Sequence, residues 1–425
     1  MTIKDFVTIP QAEHGIRLKE LCPHASEVVR DLQEAGFEAY IVGGSVRDLL
    51  LGKAPKDFDV ATSATPEEVQ EVFPRCRLIG RRFRLAHVRK GGALIEVATF
   101  RGVSDPDDDR EQSSGRILRD NVFGTMEEDA LRRDFTINAL FLDPVSGEIR
   151  DYVGGYRDLA DRRLRLIGDP DVRYREDPVR LLRAARFMAK LGVEPDDETA
   201  HRIPELAPLL EDVPPARLFE EICKLFMTGH GMRSLEALQR FGLSASLFPG
   251  LRRGVGRGKV QIGTLLRHAL ENTDERVRAA KPVTPAFLFA ALLWAPVEAR
   301  AREYVEGGDS DYAAMMRAAE EALAVQARRT SIPRRFSAVT RQIWMMQARF
   351  TKTRGKRWKR LLYEERFRAS YDFLLLRARD DASLEPLCAF WTEAQEGVEL
   401  PAAEKKPEAG RGRPRRRYRR RAPAG

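Results

Sequence analysis

The stretch from Ala39 to Ala61 constrains this chain more than any other. Ala39-Tyr40-Ile41-Val42 is an apolar, β-prone run closed by Gly43-Gly44. Helical spacing resumes from Ser45 to Leu51 and stops at Gly52. A second strand is expected from Asp57 to Ala61, where alternation puts Asp57 and Asp59 on one face and turns Phe58 toward the core. Strand, Gly-Gly turn, helix and acid-bearing strand in such close succession imply a mixed unit rather than a helical bundle or an all-β sandwich.

The flanking pattern extends that unit. Ala25 to Ala35 reads as an amphipathic helix stopped by Gly36, and Pro66 to Phe73 as another. Phe83 to Val88 and Leu94 to Phe100 read as strands joined by the turn signal Gly91-Gly92. Between Ser104 and Arg116 the one non-polar side chain is Pro106, so a mobile loop is expected there. After Asp158 strand signals fade and helical periodicity runs to about residue 390. Asp177-Pro178 announces a helix over Val179 to Leu191 that Gly192 ends. The expected fold class is α+β: a small mixed-sheet head, an all-helical neck and body, and a disordered basic tail. The boundaries read as an N-terminal extension over 1–24, head 25–157, neck 158–250, body 251–400 and tail 401–425.

Charge is unevenly spread. Residues 401–425 hold ten Lys or Arg against Glu404 and Glu408, so they carry +8 of the chain's +9 and leave the rest near neutral. A basic block of this kind suits an anionic partner, nucleic acid first, with a solubilising tail as the plainer reading. Cys22, Cys76, Cys223 and Cys388 are scattered without a C-x-x-C pair, which argues against zinc ribbons and disulfide frameworks and favours the cytoplasm. Met1 to Gln11 has no apolar signal core, and the longest apolar run, Ala286 to Ala295, is too short to cross a bilayer and reads as a buried helix. No membrane partner is expected.

The chemistry concentrates around the two acids. Adjacent carboxylates repel unless a cation sits between them, and a divalent ion, Mg²⁺ or Mn²⁺, fills that role while activating a hydroxyl and neutralising a triphosphate. Gly43 and Gly44 let backbone N–H groups approach a phosphate, and Arg47 adds a fixed charge on the following helix. D-x-D alone is a weak signal, because most such pairs are solvated surface acids. Strand, Gly-Gly, helix and D-x-D together are specific to nucleotidyl transfer. The histidines, His87 included, have no partners at ligand spacing. Met345 to Phe367 interleaves Arg349, Lys352, Arg354, Lys356, Arg357, Lys359 and Arg360 with Phe350 and Trp358, which suits either RNA contact with base stacking or a solvated helical face.

The segment Ile41 to Ala61 resembles the head signature of class II nucleotidyltransferases, the group of CCA-adding tRNA enzymes and bacterial poly(A) polymerases. Three further motifs carry the resemblance in order: Ile95 to Arg101, Arg132 to Ala139, and Arg175 to Arg180. The resemblance implies a divalent metal on Asp57 and Asp59, and Asp134 as the third catalytic carboxylate, with Glu96 the competitor for that place. A salt bridge to Arg133 or a helix cap is the plainer role for Asp134. Arg133 would help hold the triphosphate and ribose. Asp177 and Arg180, at i and i+3, would read the base, with Arg183 a phosphate or base neighbour. An acceptor beside a donor matches the N6 amine and N1 of adenine. Cytosine offers the same pattern, while guanine and uracil offer the reverse. Capping the helix is a compatible role for Asp177.

Four passages resemble the poly(A) branch: Arg81 to Val88, Arg119 to Thr125, Arg173 to Pro178, and the arginine-rich end Arg411 to Arg421. The expected activity is template-independent addition of AMP from ATP to RNA 3′ ends, promoting RNA turnover. The alternatives are CCA addition to tRNA and a non-catalytic RNA-binding protein on the same scaffold. The tail gives a first test. If its arginines grip phosphates without reading bases, each neutralised phosphate adds ~0.7 to the slope of log K against log salt on single-stranded RNA. Truncation after Leu400 is expected to weaken RNA binding most at low salt and to flatten that slope. An affinity ratio that stays constant across salt would refute the phosphate-gripping arm.

Overall fold

The computed structural model describes residues 6–80, 84–102, 112–113, 116–117, 122–251, 263–356, 358–396 and 398. Short apolar runs of the head form an eight-stranded mixed sheet from β1 (Val7–Ile9), β2 (Ala39–Val42), β3 (Asp59–Thr62), β4 (Arg77–Ile79), β5 (Leu85–Lys90), β6 (Ala93–Thr99), β7 (Leu140–Leu142) and β8 (Ile149–Asp151). Their spatial order is β1-β8-β7-β2-β3-β6-β5-β4. All four residues of β2 are buried, as a strand covered on both faces requires. One face packs Ile41, Val60 and Val97 under Val28, Val29 and Leu32 of α1 (Pro23–Glu34). The other face packs Tyr40, Val42, Phe100 and Phe141 together.

The register at the centre decides where the chemistry falls. β2 pairs antiparallel with β3, setting Val42 opposite Asp59, and β3 pairs parallel with β6, setting Asp59 opposite Glu96. The strand expected from Asp57 begins only at Asp59. Gly43 follows Val42 with φ +71 and turns the chain into α2 (Gly44–Leu50), so no β2 residue is left to pair with Asp57. Phe58 is half-buried against the sheet core, in line with the alternation.

The remaining head elements include α3 (Pro66–Val72), α4 (Met126–Arg132) and α5 (Gly155–Ala160). Residues expected to form the mobile loop lie mostly outside the described residues. Within it, Gln112–Ser113 pairs antiparallel with Arg116–Ile117. Phe83, expected to open a strand, also lies outside them. The segment read as an N-terminal extension contributes β1, which pairs with β8 at the sheet edge. Its exposed Phe6 and Val7 gave no strong strand signal.

Helices dominate after the head: α6 (Pro170–Glu176), α7 (Val179–Leu191), α8 (Pro215–Phe226) and α9 (Gly231–Arg240), with α7 packed on α8 and α9. Gly192 ends α7 in the left-handed region at φ +69. One exception to the helical expectation is the two-residue parallel pairing of Arg163–Leu164 with Glu194–Pro195.

The chain divides into two units. The first comprises Met1–Ile262, Leu270–Val283 and Ala324–Ile332, and the second comprises Gly263–Ala269, Thr284–Leu323 and Pro333–Gly425. Within the second, α10 (Pro285–Leu292) is the buried apolar helix expected near Ala286. It accepts hydrogen bonds from α11 (Arg334–Phe350), Thr340 Oγ1 to Ala286 O at 2.9 Å and Trp344 Nε1 to Ala290 O at 3.0 Å. Phe350 is fully buried with Phe367 and Trp391, and Trp358 meets Phe390 edge-on at 5.1 Å. Packing therefore claims Phe350, one of the aromatics expected to stack bases, while Trp358 is half-buried and Lys352, Arg354 and Lys356 stay exposed. No helix among the described residues is long and apolar enough to cross a membrane.

One close approach fixes the turn that carries the site. A Cβ on Gly155 would stand 2.1 Å from the Thr136 carbonyl oxygen. Gly155→Ala is expected to cost about 1–3 kcal/mol of stability in denaturant unfolding, as overpacking does. An unchanged midpoint would mean that the turn yields freely.

Candidate active site

A cavity of about 520 Å³ opens where β2, β3 and β6 end against α7 and α8. Of the residues expected from the sequence, Gly43, Gly44, Arg47, Asp59, Arg133, Asp134, Asp177, Arg180 and Arg183 line it. Asp57 does not, and sits exposed just ahead of β3. Glu96 lines it beside Asp59, as the parallel register dictates.

The acids fall into two groups. Water reaches the Asp59 side chain, yet protein crowds it, and this burial raises its carboxyl above the ordinary range. The charges of Glu96 and Asp57 push the same way, and Arg133 pulls back. That is a local surplus of negative charge, which a divalent cation relieves. Among the described residues no three His, Cys, Asp or Glu side chains form a ready-made metal cage. Mg²⁺ sites that lean on one or two carboxylates plus substrate phosphates need none, so the donor set fits such an ion. His87, opposite Glu96 in the β5–β6 ladder, approaches it to 3.2 Å.

Asp134 belongs to the second group. Its Oδ1 accepts from the Phe135 N–H at 2.8 Å and Asn138 Nδ2 at 3.0 Å, and its Oδ2 accepts from Arg183 at 2.5 Å. Burial alone would raise this carboxyl, but the Arg183 charge and these hydrogen bonds hold it below the usual range. The carboxylate standing beside Asp59 is Glu96, while Asp134 anchors a guanidinium.

The arginines are similarly held. Arg47 is buried, bonded to Asp48 at 2.6 Å and stacked 5.3 Å from the Phe187 ring. Arg133 pairs with Asp129 at 2.7 Å. Arg180 donates to the Arg173 carbonyl at 2.6 Å and to Glu176 at 3.2 Å. Asp177 accepts from the Val179 N–H at 3.2 Å and from Arg217 of α8 at 2.7 Å, but it is not the N-cap expected of it: Pro178 occupies the N-cap of α7 and Asp177 ends α6. Asn138, Phe187 and Arg217 line the cavity without having been expected. Asn138 lies inside a quoted motif, whereas nothing in the local sequence marks Arg217.

An acidic corner and an arginine wall around one cavity, beneath a mixed sheet, define a nucleotidyltransferase head. The structure of a Thermotoga maritima CCA-adding enzyme complexed with tRNA shares the fold, with TM-score 0.57 at 21% identity, covering 92% of this chain and 80% of that one. The chain matches the families described as poly A polymerase head domain over residues 39–165, probable RNA and SrmB-binding site of polymerase A over 192–254, and polymerase A arginine-rich C-terminus over 307–423. It is 48% identical over 396 residues to poly(A) polymerase I of Escherichia coli O6:H1, across 91% of this chain and 85% of that protein. With the CCA-adding enzyme of Geobacillus thermodenitrificans it shares 40% identity over 224 residues, about half of each chain. The chain belongs to the poly(A) polymerase I family.

The Asp134–Arg183 pair yields a prediction of defined sign. A carboxyl whose folded pKa is lowered contributes stability above its unfolded value near 3.9 and loses it as pH falls toward the folded value. Asp134→Asn is expected to cost about 3 kcal/mol at neutral pH by leaving Arg183 uncompensated. The gap to the unaltered chain should shrink below about pH 4. Denaturant unfolding across pH checks this, and a gap constant to low pH would refute it.

Proposed function

We infer that this chain is a polynucleotide adenylyltransferase that extends RNA 3′ ends with AMP from ATP and so promotes RNA turnover. The observation that carries this reading is the cavity itself, which gathers Asp59 and Glu96, the Arg47–Arg133–Arg183 wall and the Asp177–Arg180 pair. Asp57 and Asp59, with Glu96 beside them, would hold Mg²⁺ or Mn²⁺, whose chemistry is to acidify an attacking 3′-hydroxyl and neutralise a triphosphate.

The chain's own residues do the rest. Gly43, without a side chain, leaves backbone open to a phosphate. Arg47, Arg133 and Arg183 present fixed guanidinium groups to the triphosphate. In the transfer, the 3′-oxygen bonds to the α-phosphorus as the bond to the β-phosphate oxygen breaks, and pyrophosphate leaves. Asp177 and Arg180 accept from N6 and donate to N1 of adenine, rejecting guanine and uracil. Cytosine passes that hydrogen-bond test, so cavity shape must exclude it. The head over 25–157 supplies the chemistry, the neck over 158–250 base reading and RNA binding, the body over 251–400 a helical support, and the tail over 401–425 a grip on RNA phosphates. The four free cysteines suit the cytoplasm as its place of work.

The test offers each nucleoside triphosphate separately with an unstructured RNA and with a tRNA lacking its CCA end. Long products from ATP alone on both RNAs are expected. Addition confined to the tRNA and requiring CTP would establish CCA addition, and no incorporation would favour a binding protein. In the same assay Asp59→Ala and Asp57→Ala should lose several orders of magnitude in rate while RNA affinity stays within about twofold. Near-normal incorporation by either variant would overturn the metal assignment.

A further inference from the structure

We propose that Asn138 is a positioning residue that sets the cavity's arginines in register with the head. It occupies the single turn Thr136–Asn138 and is only 7% exposed. Its amide oxygen accepts from Arg47 Nη1 at 2.5 Å and its amide nitrogen donates to Asp134 Oδ1 at 3.0 Å. Its backbone carbonyl accepts from Arg133 Nη1 at 3.3 Å. One residue therefore touches three of the charged side chains that line the cavity.

The chemistry of the amide is specific to this place. Its oxygen faces a guanidinium and its nitrogen faces a carboxylate, so the reversed orientation would set donor against donor and acceptor against acceptor. Leu matches Asn in size but can do neither job. Asp keeps the Arg47 contact but turns a second carboxylate toward Asp134. The amide thus completes a hydrogen-bonded chain, Asp48–Arg47–Asn138–Asp134–Arg183, from α2 across the turn to α7. A parallel tie runs from Asp48 to Lys190, near the far end of α7, at 3.2 Å.

The turn itself is held firmly enough to serve. Thr136 Oγ1 donates to Asp158 at 2.6 Å, and Asp158 also pairs with Arg165 at 2.8 Å. Asp151 accepts from the N–H groups of Val153, Gly154, Gly155 and Tyr156, which fixes the start of α5 against that turn. A rigid support, a bifunctional amide and two anchored arginines make Asn138 the link by which α7, carrying Arg180 and Arg183, keeps a fixed distance from the acidic corner.

The inference rests on the cavity taking ATP, so its test reads ATP binding directly. Calorimetric titration of the full-length chain with ATP and Mg²⁺, without RNA, compares wild type with Asn138→Leu, Asn138→Asp and Asn138→Ser. Loss of a charge-assisted hydrogen bond corresponds to about tenfold in affinity. Leu and Asp are expected to weaken ATP by at least about that factor. Ser, whose hydroxyl both donates and accepts, should fall about three- to fivefold. RNA affinity, measured in parallel, should not move. A folded Leu or Asp variant that binds ATP like wild type overturns the proposal, as does a parallel loss of RNA affinity. If Leu and Asp fail to fold, Ser decides, and wild-type ATP affinity there overturns it. Wild-type protein that binds no ATP defeats the adenylyltransferase reading instead.

Discussion

The pairing of β2 with β3, and of β3 with β6, is the constraint from which the cavity follows. β2 is buried on both faces, so a slip of one residue would turn its whole apolar set to the wrong sides. The register is therefore held by core packing of Ile41, Val60 and Val97, far more strongly than any surface contact could hold it. Once Val42 faces Asp59 and Asp59 faces Glu96, two carboxylates are forced together, Asp59 at the start of β3 and Glu96 midway along β6. The sheet gains nothing from that repulsion. Hydrophobic burial elsewhere in the head offsets it, which is how a fold keeps an electrostatically costly corner.

Against that corner stands a wall of arginines, each already bonded to protein. Buried ion pairs add little net stability once desolvation is counted, but they fix geometry. Arg47, Arg133 and Arg183 are each tied to a carboxylate and held in one direction. On the proposed reading an incoming triphosphate would meet cations that need no rearrangement, and such preorganisation is where electrostatic catalysis draws its effect. The same pairing engages Asp134 on both carboxylate oxygens. Its lone pairs face Arg183, Asn138 and the Phe135 N–H, and releasing them would strand a buried guanidinium.

The alternation of head elements and the Gly-Gly turn were legible because they depend on local periodicity and backbone freedom, which neighbouring residues reveal. Asp57 was misplaced by two residues because strand ends are set by the partner, and β2 stops at Val42. Glu96 against Asp134 stayed open in the sequence because only a register brings residues 37 positions apart side by side. Arg217 was invisible for the same reason: its partner Asp177 lies 40 residues away. The reading of Phe350 as a stacking ring failed differently. Basic residues around aromatics look alike whether the rings face RNA or a core, and here Phe350 faces the core. Val7–Ile9 paired at a sheet edge, where exposure blurs the apolar alternation that marks a strand.

Base choice shows how these levels combine. Adenine and cytosine present the same amine and ring acceptor, so the hydrogen bonding proposed for Asp177 and Arg180 would separate them from guanine and uracil but not from each other. Their discrimination falls to the size and rigidity of the space around the base. Rigidity is what the surrounding contacts supply: Asp177 is held by Arg217 from α8 and by the N–H of Val179, and Arg180 by the Arg173 carbonyl. A pair that could swing would adapt to either ring, because a flexible template fits whichever base arrives. A pair fixed from two sides keeps its acceptor and donor at one spacing, which adenine and cytosine both meet, so the walls around the base must tell those two rings apart. On the proposed reading, the contacts between α6, α7 and α8 hold the Asp177–Arg180 pair in the arrangement that would exclude guanine and uracil.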